Sequence, residues 1–390
     1  MAELPRLAYI GEVPIRRISA GPALLYRLLE SYPPDRLLVA ESDHNAPDPA
    51  TELPGVRCER FFLLNPRLIR TRFSPSYSAW IYASAARRST ALLPALRSTR
   101  TEAILTVAHG FGWITAAAAA SRLGIPLHVI CHDHWQSFVT LPRWVRARSE
   151  ARFGAVYRAA RSRLPVSPQM EELYRRQYGA PGTVLYPSRS RDALRLETPP
   201  LRDPEPGRFI FSYAGSANRG QRAALIGFAN AIAPLGARLR IYQGISLDVL
   251  RGEGLAAENV EIAAFRPSHE LHLDLVRNSD AMYLPMSFEP EDRDNVELCF
   301  PSKLADYTVA GLPILVAAPG YGTASQWARS APEAAVLVET LDPDALAQAA
   351  GKMIGDAALR HRLAWGALNA GNRMFSQEAA FSVLRACLLP

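Results

Sequence analysis

At 390 residues the chain exceeds one ordinary hydrophobic core, so two domains are expected. Its 48% apolar and 21% charged residues fit a water-soluble globular protein, and no apolar run approaches the ~20 residues that span a bilayer. The net charge of +7 is uneven: residues 1–189 hold 25 Arg/Lys against 14 Asp/Glu, whereas residues 190–390 hold 19 against 23.

Leu7 to Ile10 reads as a short buried strand, and Gly11 opens a turn. After the loop Ser19-Ala20-Gly21-Pro22, Leu24, Leu25, Leu28 and Leu29 share one helix face. Pro33-Pro34 ends that helix, and Arg36 to Ala40 is the next strand, a βαβ start that predicts a parallel sheet. Gly11 and Gly21 do not form a dinucleotide fingerprint. A polar loop over residues 42–55, a strand over Arg57–Leu64 and the segment Asn65–Arg72 come next. The helix around Tyr77–Leu96 carries Trp80, Tyr82, Arg87 and Arg88, a mixture that suits either a membrane surface or a core helix with a solvated arginine face. No nucleic-acid-binding module is recognisable.

Ala103–Ala108 is a strand ending in His109-Gly110, an alanine-rich helix spans Trp113–Leu123, and Leu127–Cys131 is a strand ending in His132-Asp133-His134. Ligands of open α/β sheets gather at the carboxyl ends of strands, where His109 and His132 both stand. His132 with Asp133 can act as base or hydrogen-bond donor, or either histidine can be structural. The His-Asp-His run lacks helical ligand spacing and a third ligand, so no metal is expected. An arginine-rich helix over Pro142–Arg161, a strand end at Leu164–Ser167, a helix over Pro168–Tyr178 and a strand over Thr183–Tyr186 complete the first half. The stretch 187–208 carries five prolines and reads as the linker.

The second half restarts the pattern. Phe209–Tyr213 is a strand, and Ala214–Gly220 (AGSANRG) is a small-residue loop before a helix over Gln221–Ile232. Such a loop at a helix start suits phosphate, with Arg219 or Arg222 near it. Strands at Leu239–Tyr242 and Val260–Phe265, a helix over His269–Val276 and a strand at Ala281–Pro285 succeed it. Met286–Leu298 reads as an acidic loop. Then comes Cys299–Val316, CFPSKLADYTVAGLPILV. Ser302 is placed to cap a short helix, Gly311 to end it, and Pro313 to force a return to strand. Lys303 and Asp306 therefore stand in its first turn, where a phosphate and sugar hydroxyls could bind; an ordinary strand–loop–helix unit with a solvated Lys and Asp is the alternative. C-terminal helices close the chain, the last over Gln377–Leu388. The four cysteines, Cys58, Cys131, Cys299 and Cys387, have no metal or disulfide spacing, and the N-terminus lacks a signal-peptide pattern, so a cytoplasmic protein is expected.

The order of these elements, with Y-A-G-S at 213–216, S-D-A-M-Y-L-P at 279–285 and K-L-A-D-Y-T-V-A-G-L-P-I at 303–314, resembles the GT-B glycosyltransferases, in particular the broad retaining family numbered four. The resemblance covers nearly the whole chain; it is densest over residues 209–320 and thinner in the first half, where His109 and His132-Asp133 carry it. It implies an α/β GT-B fold of two Rossmann-like domains facing across a cleft. Residues 1–187 would bind acceptor, 188–208 would link, 209–372 would bind nucleotide sugar, and a helix within 373–390 would return to the first domain.

By that resemblance the donor is a UDP- or GDP-linked sugar, with no other cofactor and no metal. The Gly215-Ser216 amides, Arg219 and Lys303 would hold the diphosphate and Asp306 the ribose, with Ser302 also on the donor side and Arg266 beside the base. The family's usual pair of glutamates on this element corresponds to Asp306 and to Leu298, which departs from the pattern; the adjacent Glu297 would take over at the sugar. His132 and Asp133 would serve the reacting centre, and Gly11 and His109 the acceptor side. The implied activity is hexosyl transfer, with retention, to a bacterial glycan, glycolipid or other lipid-linked acceptor, with possible peripheral attachment to an anionic inner membrane. An inverting GT-B enzyme and a non-catalytic GT-B scaffold are the alternatives.

Overall fold

A computed structural model describes residues 3–17, 20–42, 49–62, 68, 71–205, 207–242, 245–264, 266 and 268–389. Ser19, residues 43–48, the last two residues (63–64) of the strand expected over Arg57–Leu64, most of Asn65–Arg72, Pro206 and Phe265 lie outside the described residues. The chain divides into two compact units, one of residues 1–186 with 378–390 and one of residues 187–377.

The first unit is built on six parallel strands in the order β3-β2-β1-β4-β5-β6: β1 (Leu7–Gly11), β2 (Leu37–Glu41), β3 (Arg57–Arg60), β4 (Ala103–Val107), β5 (Leu127–Cys131) and β6 (Ser162–Pro165). Its central strands are buried along their whole length, as strands covered by helices on both faces must be. One face carries the Ala20–Leu29 helix and the last helix, Gln377–Leu388; Leu25, Leu28, Ala380 and Leu384 share one core there. The other face carries helices Ser74–Ser98, Gly112–Leu123 and Arg143–Ala159. Beneath them Trp113, Trp135 and Phe153 form an aromatic cluster with ring centroids 5.2–5.6 Å apart.

The second unit repeats the plan with β7 (Ile210–Ala214), β8 (Arg238–Tyr242), β9 (Val260–Ala263), β10 (Ala281–Pro285), β11 (Ile314–Ala317) and β12 (Ala335–Val338) in the order β12-β11-β10-β7-β8-β9. Every pairing is parallel. Counted from each unit's first strand, both sheets run 3-2-1-4-5-6. The strand order therefore reverses beside β1 and β4 in one unit and beside β7 and β10 in the other, and a doubly wound sheet binds ligands at that crevice.

Two expectations need correction, and one short helix comes in addition. Met286–Leu298 is not a plain loop: a helical turn at Pro290–Asp292 leads into a helix at Arg293–Leu298, seated by buried Val296 and Leu298. Thr183–Tyr186 is not a strand; only the amides of Thr183 and Leu185 reach β6, at Arg163 and Pro165. Leu247–Gly252 forms a short helix, capped by the Ser246 hydroxyl, that sequence pattern alone does not separate from loop.

Candidate active site

Each sheet's first strand ends in the same device. In β1, Tyr9 donates its hydroxyl to the Val13 carbonyl at 2.6 Å; in β7, Tyr213 donates to the Ser216 carbonyl at 2.6 Å. A glycine stands two residues after each tyrosine. A β-carbon on Gly11 would come within 2.2 Å of the Tyr9 oxygen. Gly215 has φ +127°, a conformation that side chains rarely adopt. The Tyr-x-Gly pattern thus folds a tight turn at the point where each sheet reverses its order.

The two turns meet opposite charges. After Gly11 comes Glu12, which sequence reasoning missed. Its Oε1 accepts from the Phe111 amide at 3.0 Å, at the start of the Gly112–Leu123 helix. Gly112 permits this approach, since its β-carbon would meet the Glu12 amide nitrogen at 2.9 Å. Burial raises the Glu12 carboxyl to about 7, against the pull of the Phe111 amide and Arg88. This helix start is already occupied by the chain's own carboxylate.

Around it stand the other first-unit candidates. His109 comes just after β4 and His132 just after β5, on neighbouring paired strands. His109 Nδ1 lies 4.0 Å from Asp133 Oδ2. Burial lowers His132 to about 4, with His109 adding to the effect, and burial also lowers His109. Burial raises Asp133, opposed by His109. Glu12, His109, His132 and Asp133 are all pushed toward their neutral forms, and His132 is a weak base at neutral pH.

In the second unit the corresponding turn meets a cation. Lys303 Cε would lie 2.6 Å from a β-carbon on Gly215, so the lysine chain runs directly over the glycine. Lys303 Nζ sits 5.5 Å from the Tyr213 ring centroid. Among the described residues it makes no ion pair, and desolvation by the surrounding protein lowers it to about 8. The helix that carries it, Lys303–Val309, is tied to the turn by Tyr307, whose hydroxyl accepts from the Ala214 amide at 2.9 Å and lies 3.2 Å from the Ala214 carbonyl.

Ser302 does not cap this helix with its side chain. Its backbone is already helical, and its carbonyl, not its hydroxyl, is engaged, accepting from Ala305. Asp306 stands one turn beyond Lys303 and bonds to His272 Nε2 at 3.2 Å. Ser216 and Arg219 are exposed at the turn and at the start of the Arg219–Ile232 helix, whose Asn218–Gln221 capping box satisfies its first amides. Gly220 lets that helix meet the loop after β10, its absent β-carbon falling 1.9 Å from the Ser287 hydroxyl oxygen. Glu297 pairs with Arg293 at 3.4 Å one helical turn away. Arg266 faces Glu270 and Asp274 at 3.9 and 3.8 Å. Within the second unit, then, Gly215, Ser216, Lys303 and Asp306 share one neighbourhood, whereas Arg266 is engaged by the acids of the adjoining helix. Among the described residues no three His, Cys, Asp or Glu side chains cluster as a metal site would.

Residues 15–188 match the model of Glycosyltransferase Family 4. The chain has the GT-B fold, and its first half resembles that family. The match lies in the first half, although the sequence motifs are densest in the second. Solved structures agree over nearly the whole length. Anabaena HepE, solved with UDP and glucose, superposes with a TM-score of 0.64 at 14% identity, covering 99% of each chain. Sucrose-phosphate synthase from Thermosynechococcus elongatus gives 0.65 at 16% identity, over 97% of this chain and 96% of that one. The α,α-trehalose 6-phosphate synthase of Burkholderia multivorans gives 0.66 at 12%, over 99% and 96%. No curated protein matches this GT-B chain in sequence.

The first unit also carries a cationic, aromatic rim. Trp144, Phe73 and Trp80 are 71%, 55% and 54% exposed. They sit at the N-terminal ends of helices Arg143–Ala159 and Ser74–Ser98, which Arg152 links by lying over the Tyr82 ring at 5.6 Å. Exposed Arg72, Arg87, Arg143, Arg146 and Arg148 accompany them. No helix among the described residues is long and apolar enough to cross a membrane.

Proposed function

We propose that this protein transfers a hexosyl group from a UDP- or GDP-linked sugar to a glycan, glycolipid or other lipid-linked acceptor, with retention at the anomeric carbon and without a metal. The observation that carries the reading is Lys303: a desolvated cation, without an ion pair among the described residues, laid over the Gly215 turn. An uncompensated, desolvated charge is costly, and a ligand diphosphate removes that cost. The equivalent turn of the first unit holds Glu12 instead, whose own carboxyl already takes the Phe111 amide that a ligand anion would need. That Anabaena HepE was solved with UDP and with UDP-glucose supports the same assignment.

In this reading Lys303, with the Gly215–Ser216 turn and Arg219, stabilises the leaving diphosphate while the sugar–phosphate bond breaks. Ser302 is left a backbone contribution only. The acceptor oxygen bonds to the anomeric carbon on the face the phosphate leaves, and its proton passes to the departing phosphate oxygen. An inverting enzyme would need a base; His132, held neutral and weakly basic, suits one poorly. His132, Asp133, His109 and Gly11 are assigned to the acceptor side as hydrogen-bonding groups, Glu297 to the transferred sugar and Arg266 to the neighbourhood of the base. Trp144, Phe73 and Trp80 with their arginines are assigned to an anionic membrane surface, where aromatic side chains sit at the headgroup level and arginines bind lipid phosphates.

Hydrolysis and transfer assays with a panel of UDP- and GDP-sugars test the activity. Slow sugar release from one donor, lost in Lys303→Ala, is expected. A folded protein that binds and hydrolyses none of them would favour a scaffold role.

A further inference from the structure

His272 is a fully buried histidine on the Ser268–Asn278 helix, packed at the same depth as Leu275 three residues on. Its Nε2 lies 3.2 Å from Asp306 Oδ1, and its Nδ1 has no hydrogen-bond partner. The imidazole therefore spends its polar capacity in one direction, on Asp306. Burying an imidazole with one nitrogen unsatisfied costs free energy, so the bond that is made has a specific use to the fold or to the site. Asp306 is not buried with it: 23% of its side chain is exposed, one turn along the helix from Lys303. A carboxylate held by a buried imidazole and still partly exposed is suited to accept hydrogen bonds from hydroxyl groups of a ligand. A ribose offers a vicinal pair of such hydroxyls.

We propose that His272 is a positioning residue for ribose recognition: it holds Asp306 in the rotamer that receives the ribose hydroxyls of the bound nucleotide. The proposal rests on the nucleotide-sugar reading above. Through Asp306, His272 makes the site discriminate a ribonucleotide from its 2′-deoxy counterpart. Losing the ordered carboxylate removes the discrimination and leaves the diphosphate contact with Lys303 intact.

The test is calorimetric titration of the full chain with UDP, GDP, 2′-deoxy-UDP and 2′-deoxy-GDP, in wild type, His272→Gln and His272→Asn. Glutamine places its amide nitrogen where Nε2 stands; asparagine is of similar polarity but too short to reach Asp306, so the two variants share any folding penalty. Wild type is expected to favour the ribonucleotide about tenfold, a preference of the size one charge-assisted hydrogen bond confers. His272→Gln should keep the ratio within about threefold of wild type, and His272→Asn should bring it close to one, mainly by weakening the ribonucleotide. An unchanged ratio in His272→Asn, an equal loss of ribo and deoxy binding, or no discrimination by wild type would overturn the role. Should either variant fail to fold, ¹⁵N shifts of the wild-type histidines decide: His272 must carry its hydrogen on Nε2 and change its Nε2 signal on ribonucleotide but not deoxyribonucleotide binding. Wild type binding no nucleoside diphosphate at all would instead overturn the nucleotide-sugar reading itself.

Discussion

The side chain of Lys303 lies across Gly215, occupying the space within 2.6 Å of where a β-carbon would be. Gly215 is needed twice over, for its φ of +127° and for this passage. Gly215→Ala should therefore displace the lysine as well as strain the turn. A loss of about 1–3 kcal/mol in stability is expected, with weaker diphosphate binding; thermal melting with and without UDP or GDP reads both.

Lys303 itself should trade stability for binding. Desolvation holds it at about 8, below its ordinary 10.5, so the folded protein bears the cost of a charged lysine below pH 8. That cost fades as pH rises from 8 towards 10.5, because the folded state releases its proton before the unfolded one does. Lys303→Met should thus be more stable than wild type by about 1–2 kcal/mol at about pH 7, with the advantage shrinking by about pH 10. Urea titrations at the two pH values check it. Diphosphate binding should raise Lys303 again, so wild type at about pH 8.5 should take up a fraction of a proton per ligand, visible as a buffer-dependent binding enthalpy.

Glu12 carries the opposite sign. Burial raises it to about 7, so between the unfolded value near 4.5 and 7 the folded state binds the extra proton. Stability attributable to this group falls as pH rises through that window, and the cost is complete above 7. Glu12→Gln should stabilise the protein by about 1 kcal/mol at about pH 8 and be near neutral at about pH 4.5. Parallel denaturation curves at both pH values measure the difference.

The rim of the first unit predicts charge-dependent lipid binding. Wild type should float with vesicles rich in phosphatidylglycerol at low salt and less so in about 0.5 M salt, where screening shortens the reach of the arginines. Trp144→Ala with Trp80→Ala should weaken flotation about tenfold. Equal binding to neutral vesicles, or none at low salt, would count against a membrane role for this face.

Much of the scaffold is legible in the sequence because buried parallel strands are short, continuous apolar runs. Leu127–Cys131 and Ala281–Pro285 can be read to the residue, as can the Pro168–Tyr178 helix with Ser167 before it and Gly179 after it. The Arg293–Leu298 helix cannot, because EPEDRDNVEL offers only Val296 and Leu298 to the core and otherwise resembles a solvated loop. Ser302 suits a cap by residue type and position, but its backbone is already helical. Glu12 and His272 escape sequence reasoning for a common reason. A single carboxylate after a strand, and a single histidine on an apolar helix face, acquire meaning only from a distant partner: the Phe111 amide for Glu12 and Asp306 on another helix for His272. The small residues Gly110 and Gly112, which make room for Glu12, are the available signal.

The most direct measurement is calorimetric titration of wild type and Lys303→Ala with UDP and GDP near neutral pH. The account predicts that wild type binds one of them and that Lys303→Ala, folded by circular dichroism, loses roughly a hundredfold in affinity for it, the size of one desolvated charge pair. Equal affinity in the two proteins would contradict the claim that the lysine over the Gly215 turn is the diphosphate's counter-charge.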